Sequence, residues 1–267
     1  MSINPFGEQP KQTVIAMAQQ KGGVGKTTTV ICLGGALVEL GFKVLLVDLD
    51  AQGGLTETLG RKPDTMHHTA VDLLLGYTLA KEVITPTNLP GLDLIPSHSE
   101  VGLMERVLPN RRGYPYSLRR SLERYSQYDY ILLDCAPFLG TVTTNALVAA
   151  NMVILPSVPE YLPVFALHKV LQLIKSIKEA YNEHLVYRIL LTMVDSRNRV
   201  HIDLSQQMRS YFNNRIFSSI IQTDTRLREI ILAGLPITHY APKTRSATEY
   251  RKLAMEISGN GRKKAPN

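Results

Sequence analysis

The sequence predicts an α/β fold, a mostly parallel twisted sheet flanked by helices. Three observations lead there. Near-continuous apolar runs of strand length recur along the chain, and amphipathic stretches with helical spacing fill the gaps between them. The first of these runs ends abruptly in a glycine-rich string that opens a helix. The length of 267 residues, 44% of them hydrophobic, is enough to bury one large core.

The elements follow in order. Residues 13–18 (TVIAMA) form a strand that stops at QKGGVGKTTT, and residues 27–40 then place Val30, Leu33, Leu37 and Leu40 on one helical face before Gly41 supplies the stop. Residues 43–49 (KVLLVDL) repeat the buried-strand pattern, as do 92–95, 129–133, 152–155, 187–194 and 216–221. Helical spacing appears over 115–126, 141–150, 163–182, 201–213 and 245–257. The stretch 60–90, with its prolines and His67-His68, reads as loop. With no internal repeat, low-complexity tract or linker, the expected organisation is a flexible arm over 1–12, one domain over 13–257 and a basic flexible tail over 258–267.

Composition narrows the function classes. Lysine plus arginine total 30 against 23 acidic residues, a formal charge of +7 that favours a polyanionic partner, nucleic acid or acidic membrane. Cys32 and Cys135 are the only cysteines and no Cys-x-x-Cys occurs, which excludes a disulfide scaffold and a four-thiolate metal site. The opening MSINPFGEQPKQ is unlike a signal peptide, and no apolar run approaches the roughly 18 residues of a membrane span. The expected setting is therefore the cytoplasm.

The strongest motif is Gln20-Lys21-Gly22-Gly23-Val24-Gly25-Lys26-Thr27-Thr28, set between a strand and a helix. Glycines let the backbone close around phosphates with several N–H groups pointing inward. Lys26 is expected to bridge the terminal phosphates and the Thr27 hydroxyl to ligate Mg²⁺, so the expected ligands are ATP and Mg²⁺. Asp48 and Asp50, an i, i+2 pair at a strand's carboxyl end, are predicted to face one site. Asp134 ends the apolar run Tyr130-Ile131-Leu132-Leu133 in the manner of a Walker-B strand, and it should hold a magnesium-bound water beside Thr27. Cys135 next to it reads as a small buried filler, with no histidine placed to activate it.

The loop carries a second cation, Lys21, directly after the position where the ordinary motif has its first glycine. Here the chain resembles the deviant Walker-A P-loop ATPases, whose signature is KGGVGKTT. The resemblance implies that Lys21 reaches across a dimer interface and neutralises charge on the partner's transferred phosphoryl group. It also implies that Asp50 orients the attacking water and that Asp48 supports the magnesium and its water shell. The family commonly continues with two prolines where this chain reads Asp134-Cys135-Ala136-Pro137, so a looser turn is expected there.

Further along, 190–195 (LLTMVD) and 236–255 (PITHYAPKTRSATEYRKLAM) are similar to the C-terminal half of ParA/Soj-type partition ATPases. The first segment implies nucleotide contacts from Thr192 and Met193. The family as a whole implies ATP-bound sandwich dimers that coat DNA nonspecifically and release it when a ParB-like or other adaptor stimulates slow hydrolysis, so that a plasmid or chromosome is segregated over the nucleoid. Arg226 falls on a DNA-contacting position of that family, and Arg228, Lys243, Arg245, Arg251 and Lys252 extend the cationic quarter. Two departures stand out: Ile221-Gln222-Thr223-Asp224 replaces Ile-Pro-Arg-Asn, which puts an adenine-side contact near Gln222 in doubt, and Glu229-Ile230-Ile231 replaces Glu-Ala-Pro.

Other readings share the fold. The same cycle serves a protein cargo, such as a microcompartment or receptor cluster. A MinD-like membrane ATPase would end in an amphipathic helix, whereas this chain ends in SGNGRKKAPN. An iron protein of the nitrogenase type, or a metal-insertion ATPase, would need cysteine ligands that are not placed for it. A nucleotide-gated adaptor without turnover would have little use for Lys21 and Asp50. Only 12 residues precede the first strand, too few for an operator-reading helix-turn-helix.

Overall fold

The computed structural model of the chain describes residues 12–77 and 80–259, the side chains of 80–81 and 162–166 excepted. The predicted arm and tail therefore lie almost wholly outside the described residues, and the two ends that are described prove ordered. Gln12 Nε2 donates to the Tyr125 and Tyr128 carbonyls at 2.7 and 3.2 Å. Ser258 is buried and its N–H caps the last helix on Ala254 O at 2.9 Å.

The strands are β1 (Thr13–Met17), β2 (Val44–Leu49), β3 (Thr85–Pro86), β4 (Leu92–Ile95), β5 (Tyr130–Cys135), β6 (Met152–Ser157), β7 (Val186–Val194) and β8 (Ile216–Gln222). They form one eight-stranded sheet in the order β3-β4-β2-β5-β1-β6-β7-β8, parallel except for the short β3–β4 pair. The helices are α1 (Lys26–Glu39), α2 (Gly54–Thr58), α3 (Ala70–Leu75), α4 (Ala80–Val83), α5 (Met104–Val107), α6 (Ser117–Leu122), α7 (Thr141–Ala149), α8 (Tyr161–Ala180), α9 (Arg199–Phe212), α10 (Arg226–Ala233), α11 (Ile237–Tyr240) and α12 (Arg245–Ile257).

The continuous apolar runs are explained by two cores, one on each face of the sheet. Along β1, Ile15 and Met17 join the core under α1 and α12, while Val14 and Ala16 join the core under α3, α6, α7 and α8. The same parity holds in β5, where Tyr130 and Leu132 take the α1 side and Ile131, Leu133 and Cys135 the other. Continuing the parity, Asp48 and Asp134 both fall on the α1 side, and parallel pairing sets them side by side, Asp48 against Asp134. A two-residue period thus decides that both carboxylates meet the helix that opens with Lys26.

The stretch 60–90 is not loop throughout. Thr69 and Asp72 make a reciprocal capping box on α3, and Gly76, at φ 72°, terminates it. The Thr-x-x-Asp signal and the glycine six residues after the first helical position were both legible, but the six-residue helix is too short to show a period. The predicted helix 115–126 divides into a 3₁₀ turn at Tyr114–Tyr116, then α6, then a second turn at Glu123–Tyr125. Pro115 sits in that first turn, where its missing N–H costs no hydrogen bond.

Candidate functional site

β1 lies between β5 and β6, so the chain leaving β1 turns to one side of the sheet and returns to the other. Open α/β sheets hold ligands in the crevice at such a reversal, beyond the carboxyl ends of the strands. The glycine-rich loop occupies that place. Gly23 and Gly25 have φ of 72° and 85°, which an L side chain adopts only with strain. Gly25 stands at the N-cap of the 14-residue α1 without any side-chain cap, leaving the first-turn N–H groups and the positive end of the helix dipole to a ligand.

A cleft of about 370 Å³ opens beside this loop, lined by Lys21, Gly22, Gly23, Val24, Gly25 and Thr28 and, across from them, by residues of β7, β8 and α10. Lys26 is 8% exposed, and burial pushes its ammonium below the usual lysine range against the opposing pull of Asp134, Cys135 and Asp50. Lys21 is exposed at the same cleft. The two lysines of the motif are therefore unlike: one is enclosed beside carboxylates and the other faces outward.

Asp134 is 1% exposed, and among the described residues neither carboxylate oxygen has a hydrogen-bond partner. Burial, then repulsion from Asp48, pushes its carboxyl well above the ordinary range, opposed by the Thr27 hydroxyl and Lys26, of which Thr27 lies near without closing a hydrogen bond. A buried carboxylate so placed is suited to a cation or its hydration shell, and Thr27 supplies a hard oxygen beside it. No group of three or more histidine, cysteine or acidic side chains among the described residues could hold a metal by itself. A divalent ion at this site would therefore need phosphate oxygens and waters to complete its shell, the usual arrangement for Mg²⁺.

Asp48 is satisfied differently. Its Oδ2 accepts from the Thr56 N–H at 2.9 Å and the Thr56 hydroxyl at 2.6 Å, and its Oδ1 accepts from the Asp50 N–H at 3.1 Å. The chain continues through the Ser97 N–H, which donates to Thr56 Oγ1 at 2.9 Å, and the Ser97 hydroxyl, which donates to Asp50 O at 2.6 Å. Asp48 thus fastens the loop that carries Asp50 to the sheet. Asp50 is just past the end of β2 and partly exposed, with Oδ1 accepting from the Gln52 N–H at 3.0 Å. Thr56 and Ser97 were missed in the sequence because neither belongs to a local motif and their meeting spans 41 residues. Thr56→Val should destabilise the fold by about 1–3 kcal/mol, because it strips a buried bond from Asp48 and an acceptor from Ser97. A lowered urea midpoint with an unchanged slope would show it.

Thr192 and Met193 divide their tasks at an irregularity in β7. The register against β8 shifts between Leu191 and Val194, and Met193 has φ of 51°. The Thr192 hydroxyl donates to Val24 O at 2.9 Å and so braces the glycine-rich loop, while Met193, 39% exposed, lines the cleft beside Gly25. Both predicted positions meet the site, one as a brace and one as wall.

A family described as an AAA domain matches residues 12–187. The sporulation initiation inhibitor protein Soj of Bacillus subtilis is 36% identical over 250 residues, covering 93% of this chain and 99% of Soj. The chromosome partitioning protein ParA of Caulobacter vibrioides is 34% identical over 261 residues, 96% of each chain. The chain belongs to the ParA/Soj family. Among solved structures, cobyrinic acid a,c-diamide synthase from Mycobacterium smegmatis with bound ADP and magnesium superposes with a TM-score of 0.82 at 30% identity, over 96% of this chain and 99% of that one. The same protein is known with an ATP analogue and magnesium.

This ParA/Soj chain is accordingly a P-loop ATPase with ATP and Mg²⁺ as its nucleotide and metal. The cationic residues of its last quarter do not form one uniform set. Arg226, Lys243 and Lys252 are exposed. Arg228 is exposed too and lines the nucleotide cleft. Arg245 donates to Thr223 O at 2.7 Å and approaches Glu249 to 3.6 Å. Arg251 is held by Glu39 through bonds of 2.6 and 2.9 Å and by the Pro242 and Thr238 carbonyls, tying α12 to α1. The Gln222 N–H, in doubt as an adenine contact, donates to Glu249 at 2.9 Å and is occupied inside the fold. Asp224 accepts from the Arg226 N–H at 3.0 Å and the Ser246 hydroxyl at 2.8 Å, so it caps α10 and docks it on α12.

Proposed function

We propose that this ATPase dimerises around ATP, binds DNA nonspecifically in that state, and so segregates or positions a cargo over the nucleoid. Relatives named for chromosome partitioning support the setting. The observation that carries the mechanism is the contrast between the two lysines, Lys26 enclosed and Lys21 exposed at the mouth of the same cleft. An enclosed cation serves its own subunit's nucleotide, while an exposed one can reach a second subunit's.

In this reading residues Gly22 to Thr28 grip the phosphates through backbone N–H groups, and Lys26 bridges the terminal ones. Mg²⁺ would be held by Thr27 directly and by Asp134 and Asp48 through its waters, supplying neutralisation of phosphate charge. Lys21 crosses to the partner subunit's nucleotide, and Asp50 positions the attacking water. Pairing two subunits doubles the cationic surface that includes Arg226, Lys243 and Lys252, with Arg245 beside them and Arg228 at the rim of the cleft, while Arg251 is committed to Glu39. Hydrolysis separates the subunits and releases the DNA. A stimulating adaptor of the ParB kind sets the rate and selects the cargo, nucleic acid or protein. No helix among the described residues is long and apolar enough to cross a membrane.

The test is fluorescence anisotropy of a labelled random-sequence duplex with ATP or ADP. Binding is expected with ATP only and should weaken steeply as salt rises. Arg226→Glu should weaken it roughly tenfold, the effect of losing and reversing a phosphate-contacting charge, while DNA-free ATP hydrolysis is retained. Loss of that basal hydrolysis would move Arg226 into the fold or the active site. Wild-type chain that ignores the duplex with ATP present would overturn the DNA reading.

A further inference from the structure

One wall of the nucleotide cleft belongs to no local motif. His201, in the first turn of α9, and Glu160, at the N-cap of α8, line the cleft together with Gly22 and Gly25. Glu160 follows β6 and α9 follows β7, and these strands pair in parallel, so both residues sit beyond the carboxyl ends of the sheet. Burial along α9 runs against the ordinary partition. His201 is 7% exposed, while its apolar neighbours Val200 and Ile202 are left to solvent. An imidazole enclosed between two exposed aliphatic side chains is costly for packing alone, because its two nitrogens must both find partners.

One nitrogen has its partner. Nδ1 accepts from the Asp195 N–H at 3.0 Å, just after β7 and two residues past Met193 with its φ of 51°. The Asp195 carboxylate is itself taken by Arg197, through the backbone N–H, Nε and Nη2 at 2.9, 3.1 and 3.2 Å. A backbone N–H can only donate, so Nδ1 keeps its lone pair and the ring's proton sits on Nε2. That nitrogen is turned toward Glu160, whose Oε1 stands 3.7 Å away, beyond hydrogen-bond reach. Glu160 does not use its side chain to cap α8. The cleft therefore presents a fixed N–H donor beside a carboxylate acceptor, spaced too widely to satisfy each other.

We infer that the His201 Nε2–H and the Glu160 carboxylate hold the ribose hydroxyls of the subunit's own nucleotide and make the cleft selective for a ribonucleotide over its 2′-deoxy counterpart. Charge decides which part of the nucleotide belongs here. A phosphate would be repelled by Glu160, whereas each hydroxyl of a vicinal diol can accept from the imidazole and donate to the carboxylate. The phosphates lie on the loop N–H groups of the same cleft, and the ribose is the next group along the nucleotide. The contact depends on the nucleotide lying in this cleft, and not on pairing of subunits or on DNA.

The probes are ADP and 2′-deoxy-ADP with Mg²⁺, titrated calorimetrically into the full chain, since the diphosphates do not call on ATP-driven pairing. ADP is expected to bind roughly tenfold more tightly, the effect of one charge-assisted hydrogen bond. His201→Asn keeps an acceptor for the Asp195 N–H and removes the donor, so it should erase most of the preference and leave 2′-deoxy-ADP binding unchanged. His201→Gln places an amide N–H near Nε2 and gives up the bond to Asp195, so it should retain the preference. Glu160→Ala, at an exposed position, should erase the preference as His201→Asn does. Thermal melts report whether any change disturbs the fold. Equal binding of the two nucleotides by the wild-type chain overturns the ribose contact while leaving the phosphate site in place. So does a His201→Asn chain that weakens both nucleotides by the same factor, which would make the histidine only a fastener of the loop after β7. Failure of both nucleotides to bind would overturn the nucleotide site together with this contact.

Discussion

Lys26→Ala is expected to abolish ATP hydrolysis and to weaken ATP binding by about a hundredfold or more. The ammonium is buried at the start of α1, next to Asp134 and Asp50, so its charge acts at low effective dielectric on whatever lies in the loop. A charge-assisted contact contributes about 1.5–3 kcal/mol, and this lysine is placed to make two, to neighbouring phosphates. Truncation also leaves Asp134, already without a hydrogen-bond partner among the described residues, deprived of its nearest cation. Calorimetric titration with ATP and a phosphate-release assay check the result together. A Lys26→Ala chain that still turns ATP over would place the chemistry elsewhere.

Asp50→Ala is expected to lower turnover by about 10²–10⁴-fold, the usual contribution of a positioned acid or base, while ATP binding persists. The substitution is local. The side chain holds only the exposed Gln52 N–H, whereas the loop is secured through the Asp50 backbone, whose carbonyl accepts from Gly53 and from Ser97 and whose N–H donates to Asp48. With hydrolysis blocked, ATP should accumulate in the paired state, so the variant should sediment as a dimer with ATP and retain DNA longer than wild type. An Asp50→Ala chain that stays monomeric with ATP and binds DNA no better than wild type would refute the proposed cycle, though not the assignment of the nucleotide site.

Much of this was legible in the sequence because the relevant signals are local. The glycine-rich string needs only its neighbours to specify a strand, a tight turn and a helix, and the structure has Met17, Gly25 and Lys26 in those roles. The two-residue period of β2 and β5 was likewise enough to send Asp48 and Asp134 to one face. What was illegible is long-range. Thr56 and Ser97 support Asp48 from separate segments. Thr192 braces Val24 across 168 residues of chain, and Arg251 reaches Glu39 across 212. Arginine spacing marked a cationic quarter, yet it could not tell that exposed Arg228 borders the cleft or separate exposed Arg226 from Arg251 in its ion pair.

The sequence by itself determined that a phosphate-binding loop follows a buried strand, that carboxylates stand at the ends of two others, and that the chain carries a surplus of +7. Those properties follow from residue type and short-range periodicity, which act before the chain has folded. Only the tertiary structure decided how that surplus is distributed. It enclosed Lys26, left Lys21 outside and used Arg251 to join two helices. The physical reason is that a side chain's charge is fixed by its chemistry, whereas its partners and its distance from water depend on which segments packing brings together.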